Sequence, residues 1–259
     1  MLQIAGHHIH TATVGDGAPA VMIHCALSRH ESLLPLAMAI GGQVTLFDMP
    51  GHGQSADWDG KEDYQQLVTK AAAACCDGPT HVIGHSFGAT AALRLAVEHP
   101  DLVSRLTLIE PVYFAAAKGT EAHTAHIRAF QPFVGAMLTG DEERATQIFS
   151  DMWGDTMWDQ IPPVLRRYLI DRIHLIVAAG AAIEEDADGI TSPARLGNVN
   201  IPVTLIRGGQ TQPVIGAIHA ALQDRIKGAQ DHVVPAATHM APIGHAKDVA
   251  KIMRAASDQ

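Results

Sequence analysis

The segment THVIGHSFGATAALRLAVEHP, residues 80–100, decides how this chain is read. Its first part is β-branched and apolar, its last part carries Ala and Leu at helical spacing, and between them stands Gly84-His85-Ser86-Phe87-Gly88. A buried strand that passes into a helix through G-x-S-x-G predicts a sharp turn with a serine at its apex. Gly84 and Gly88 leave room for the bend, and Ser86 is expected in a backbone conformation that residues with side chains rarely adopt. Gly88, Ala89, Ala91 and Ala92 let the following helix pack close to its neighbours. The helix start brings amide hydrogens and the positive end of its dipole beside the hydroxyl, where an oxyanion would form. With glycine on both sides, a nucleophile is favoured over a serine that only caps the helix.

Outward from this turn, strand and helix patterns alternate. Residues 2–17 alternate apolar and polar and break at Gly15-Asp16-Gly17, which predicts two short strands and a turn. The run PAVMIHCA predicts a buried strand, HESLLPLAMAI a helix interrupted by Pro35, and QVTLF a strand entering the loop DMPGHGQS. A helix over 62–76, the strand HVIGHS, a helix over 87–98 and the strand SRLTLIEP follow. Apolar strands separated by helices predict a mostly parallel sheet covered on both faces. From 112 to 199 the apolar residues recur at helical spacing with no clear strand, so this stretch is expected to be a helical insertion. Alternation returns in IPVTLIRG, VIGAIHAALQDRI, DHVVPA and a last helix over 246–256. The division expected is a core of residues 1–111 and 200–259 with a helical lid of 112–199.

Composition narrows the function classes. The chain has 259 residues, 47% of them hydrophobic, enough for a full core. Its formal charge of −9 comes from 27 acidic and 18 basic residues without long like-charge blocks, which argues against a nucleic-acid partner. Cys25, Cys75 and Cys76 form no metal-ligand spacing and no evident disulfide framework, so the expected home is a reducing cytoplasm. No signal-peptide pattern and no membrane-spanning run is read, so no membrane partner is expected. The expected partner is a small-molecule substrate.

Four motifs together resemble the α/β-hydrolase fold family, in its capped branch with esterase-like and epoxide-hydrolase-like members: VMIHCA, FDMPGHGQS, GHSFG and ATHMAP. The resemblance spans nearly the whole chain. It implies an α/β architecture, a mostly parallel central sheet with helices on both faces and an inserted helical cap. It also implies that Ser86 is the nucleophile and that the N–H of Phe87 is one oxyanion-hole donor. The second donor would be the N–H of Ala26, with Leu27 the fallback, although Cys25 stands where the family usually has glycine. A serine hydroxyl needs a base, and histidine has the suitable pKa. Among sixteen histidines, the resemblance selects His239 in ATHMAP over His245 near the last helix. The family's common place for the acid, the loop after VTLIRG, reads Gly208-Gly209-Gln210-Thr211-Gln212-Pro213 and holds no carboxylate. Glu110, at the end of SRLTLIEP, is therefore the predicted acid, in the position some family members use, with Asp48 the weaker alternative.

A serine rather than an aspartate nucleophile implies acyl transfer, with no metal or organic cofactor. The expected substrate is a small, largely apolar carboxylic ester or lactone. Phe130, Phe133, Met137, Phe149, Met152, Trp153, Met157 and Trp158 are expected mostly to pack the lid on the core, with a minority facing the site. Leu27, His85, Trp153 and Met240 are the predicted pocket residues. Arg29 and His30 are read either as contacts to a polar substituent or as a solvated helix start. The rival readings are a slow-turnover ligand-binding or signalling relative, a cofactor-free haloperoxidase and a carbon–carbon bond hydrolase.

Overall fold

A computed structural model describes residues 2–257. A small antiparallel pair, β1 (Leu2–Ile4) and β2 (His7–Ile9), precedes a seven-stranded sheet. That sheet contains β3 (Thr11–Val14), β4 (Pro19–Ile23), β5 (Gln43–Phe47), β6 (Thr80–His85), β7 (Val103–Ile109), β8 (Val203–Gly208) and β9 (Gln230–Val234). The spatial order is β3-β5-β4-β6-β7-β8-β9, parallel throughout except for β3, which runs antiparallel to β5.

The opening segment holds three strands where two were expected. A turn at Ala5-Gly6, with φ of 48° and 86°, separates β1 from β2, and its short Ala-Gly signal is easily lost beside Gly15-Asp16-Gly17. Pro35 does not interrupt a helix. A 3-10 turn at His30–Leu33 comes first, and Pro35 sits in the opening turn of the helix Leu34–Ile40, where its missing N–H has no partner to lose. The expected helix over 62–76 is shorter, Tyr64–Ala73, starting where the Asp63 carboxylate accepts the Gln66 N–H.

Both faces of the sheet are buried because its strands send alternate residues to different cores. Val21, Ile23, Val82, Leu106 and Leu108 join one cluster with the helices Tyr64–Ala73, Phe87–Glu98 and Pro213–Arg225. Ala20, Met22, Ile83, Ile109 and Ile206 join the other, against Leu34–Ile40 and the last helix, Ala246–Ser257. Between β7 and β8 every described element is helical, the longest being Glu121–Leu138, Glu142–Trp153 and Pro163–Ile170. No helix of the described residues is long and apolar enough to cross a membrane.

The connections position the site. After β4 the chain goes to β5 on one side, and after β5 it crosses to β6 on the other, so the carboxyl ends of β4 and β6 flank a topological switch point. Open α/β sheets bind ligands in such a crevice.

Candidate active site

Ser86 has φ 56° and ψ −119°, in a region that costs a residue with a side chain about 1–3 kcal/mol. Its neighbours hold it there. A Cβ on Gly84 would lie 2.3 Å from the Gly88 carbonyl oxygen, and one on Gly88 would lie 2.4 Å from the oxygen of Ile23 and 2.5 Å from that of His24. The glycines thus let the helix press against both its own strand and the end of β4. The Ser86 N–H donates to Ile109 at 2.9 Å, tying the bend to β7.

The Ser86 hydroxyl lies 2.9 Å from His239 Nε2, and His239 Nδ1 lies 2.9 Å from Glu110 Oε2. All three residues are buried, Glu110 completely. Nδ1 must donate to the carboxylate, which leaves Nε2 as the acceptor facing the hydroxyl. Asp48 and His245 lie outside this arrangement. The Asp48 carboxylate accepts from the backbone of His30 and Gln54 and from the His30 ring, whereas His245 faces Asp248 at 3.4 Å.

The carboxylate-free loop after β8 takes part through donors. Gly208 N–H donates to Glu110 Oε1 at 2.6 Å, and the Thr211 hydroxyl donates to Oε2. Glu110 itself has φ 54°, with its N–H bonded to Ile206. Gly208 has a second role, since a Cβ there would lie 2.2 Å from the Ala237 carbonyl in the turn that carries His239. The sequence reading missed both donors. Their signal was the absence of an acid in a loop that opens on Gly-Gly and holds a hydroxyl.

The loop after β4 is held by neutral histidines. His52 Nε2 accepts the Leu27 N–H at 3.0 Å, which takes Leu27 out of consideration as an oxyanion donor and leaves Ala26 beside Ser86. His24 donates from Nδ1 to the Cys25 carbonyl at 2.7 Å and accepts the Met49 N–H at Nε2. Burial lowers the pKa of His24 to about 4 and of His52 to about 3, so both remain acceptors at neutral pH. Cys25 is buried with its carbonyl engaged, so its side chain replaces the usual glycine without freeing the loop.

Ser86 and His239 open onto two cavities that also share Ala26, Phe149 and Trp153. The larger is about 730 Å³, walled by Val112, Phe114, Phe130, Phe133 and Met137 among others. The second, about 580 Å³, is more polar at its rim, with Ser28, Arg29, Asp155 and Tyr168. Phe130, Phe133, Met137, Phe149 and Trp153 line cavities whereas Met152, Met157 and Trp158 line neither, so the expectation that only a minority would face the site is corrected. Hydrophobic spacing marks an apolar helix face but does not distinguish a packed face from one over a void. Leu27 and Met240 line the second cavity, and the Trp153 ring lies 4.7 Å from that of His239.

His85 lines neither cavity. Its Nε2 donates to the His239 carbonyl at 2.9 Å, so it braces the His239 backbone and does not wall either cavity. Burial, with a smaller effect from the charge of His239, lowers its pKa to about 3. Arg29 lines the second cavity, but His30 is buried against Asp48. Among the described residues, His10, His30 and Asp48 bring potential metal-ligand atoms within 4.8 Å of one another. The Asp48 carboxylate there is already occupied by its hydrogen bonds to the loop.

Similarity to known proteins follows the same outline. The chain is 31% identical over 127 residues to (E)-2-((N-methylformamido)methylene)succinate hydrolase of Acinetobacter baylyi, a match covering 47% of this chain and 48%, about half, of that enzyme. It is 29% identical over 237 residues to a pimeloyl-[acyl-carrier protein] methyl ester esterase of Neisseria meningitidis, covering 88% of this chain and 72% of the relative. An alpha/beta hydrolase of Sphaerobacter thermophilus superposes with a TM-score of 0.72 at 22% identity, over 97% of this chain and 99% of that one. With its sheet order, its serine turn and a family-model match over residues 20–252, the chain belongs to the alpha/beta hydrolase family.

Proposed function

We propose that this protein is a serine hydrolase that cleaves small, largely apolar carboxylic esters or lactones through an acyl-enzyme. The observation that carries this reading is the hydrogen-bonded line Ser86–His239–Glu110 at the floor of an apolar cavity. His239 takes the serine proton as Ser86 attacks the carbonyl carbon, and Glu110 stabilises the resulting imidazolium. The N–H groups of Phe87 and Ala26 receive the oxyanion. His239 then returns the proton to the leaving oxygen, and water, activated by the same imidazole, releases the acid. The apolar walls favour an aliphatic or aromatic acyl group over a sugar or a strongly charged metabolite. The esterase relative from Neisseria meningitidis supports ester cleavage within this family.

The test is turnover of short p-nitrophenyl esters and of small lactones by the wild-type chain and by Ser86→Ala. Many turnovers that vanish in the variant are expected. A single turnover followed by tight retention would favour a ligand-binding role, and turnover surviving in Ser86→Ala would remove Ser86 as nucleophile.

A further inference from the structure

The large cavity is not uniformly apolar. His126, on the helix Glu121–Leu138, is 7% exposed and lines it, with the ring stacked on Phe114 at 4.1 Å and edge-on to Trp153 at 5.9 Å. Its Nε2 is buried and has no hydrogen-bond partner. Glu184, which also lines the cavity, brings Oε1 to 3.8 Å from that nitrogen, beyond hydrogen-bond reach. An unpaired buried polar atom costs about 1–3 kcal/mol, so phenylalanine would complete this aromatic stack at lower cost. The imidazole therefore calls for a partner that comes and goes.

The spacing selects the chemistry of that partner. With its proton on Nε2, His126 donates, and the Glu184 carboxylate accepts. One hydroxyl oxygen set beside the 3.8 Å gap, at the apex of a triangle about 2.9 Å from each atom, would accept from the imidazole and donate to the carboxylate. A methyl group would leave both unpaired, and a ligand carboxylate would meet the charge of Glu184. Ring-centroid steps of 5.9 Å from His126 to Trp153 and 4.7 Å from Trp153 to His239 keep the imidazole of His126 within about 11 Å of the His239 ring.

We propose that His126 and Glu184 form a subsite for a hydroxyl group on the acyl chain, remote from the scissile carbonyl. This rests on the reading of Ser86 and His239 as the reacting centre, and it makes the preferred substrate a hydroxyacyl ester, not a plain alkanoate.

The experiment compares kcat/KM for p-nitrophenyl esters of ω-hydroxy acids with that of the unsubstituted alkanoates, from butanoate to decanoate. The hydroxyl-to-methyl preference is expected to peak at one chain length, at least about tenfold above the value for the shortest chain. His126→Phe, which keeps the aromatic stack, and Glu184→Met should each abolish the peak. Glu185→Met, at an exposed neighbour, should keep it. A preference that stays flat with length, or a peak that survives both substitutions, overturns the subsite. If no ester is turned over, the methyl esters of the same acids are titrated into Ser86→Ala. A hydroxyl preference in Kd then upholds the subsite while the hydrolase reading fails, and its absence overturns the subsite.

Discussion

Glu110→Gln tests the acid by exchanging one atom. The wild-type carboxylate is fully buried, 2.9 Å from His239 Nδ1, and anchored by Gly208 and Thr211. Opposite charges about 3 Å apart at an effective dielectric near 20 attract by roughly 5 kcal/mol, which is nearly four powers of ten in rate. The amide removes that attraction at the moment the imidazolium forms. It can also turn its NH2 toward Nδ1, which reverses the tautomer and puts a proton on Nε2, where Ser86 needs an acceptor. A fall in kcat of about 10³–10⁴ is expected for a p-nitrophenyl ester under saturating conditions, in a variant whose circular dichroism matches the wild type. A folded variant within tenfold of wild-type kcat would refute the role of Glu110. Asp48→Asn is the comparison. It should lower thermal stability through the 30 and 54 loop contacts without a comparable loss of kcat per folded molecule.

Thr211→Val removes one donor to the same carboxylate and should lower kcat about tenfold, with Thr211→Ser restoring most of it; equal rates in all three would mean that the hydroxyl is idle. Gly88→Ala drives a methyl against two backbone carbonyls, so a loss of about 3 kcal/mol or more is expected as a melting-temperature drop of roughly 6–12 °C. Gly135→Ala, in the open interior of a helix, should instead raise the melting temperature slightly. His24, His52, His81 and His85 are kept neutral by burial, with pKa values lowered to about 4, 3, 3 and 3. Above about pH 6.5 neither folded nor unfolded chain protonates them; below it only the unfolded chain does, so stability falls toward the folded values by up to about 5 kcal/mol per pH unit. Melting curves should change little between pH 7 and 8 and drop steeply below pH 6, and a flat profile down to pH 5 would contradict the neutral assignment.

Local signals made the Ser86–His239–Glu110 arrangement legible. Gly84 and Gly88 report a backbone constraint that only a tight turn explains, and the vacant acid position after β8 directed attention to Glu110. The cavities were less legible because they depend on how helices far apart in sequence face one another. Phe130 and Trp158 carry the same kind of periodicity, yet only Phe130 borders a void. His85 illustrates another limit. Beside Ser86 in sequence, it is spent on the His239 carbonyl and lines neither cavity, which adjacency in sequence does not reveal. The approach of Glu184 to His126, 58 positions apart, exists only once the helices between β7 and β8 have packed.

The most direct measurement is to quench the reaction during the first turnover of a p-nitrophenyl ester and locate the acyl group by peptide mass spectrometry. One acyl group on the Ser86 hydroxyl, appearing with one equivalent of p-nitrophenolate and absent in Ser86→Ala, is predicted. Turnover with the acyl group on another residue, or with no acylated Ser86 at any quench time and no burst, would contradict the account.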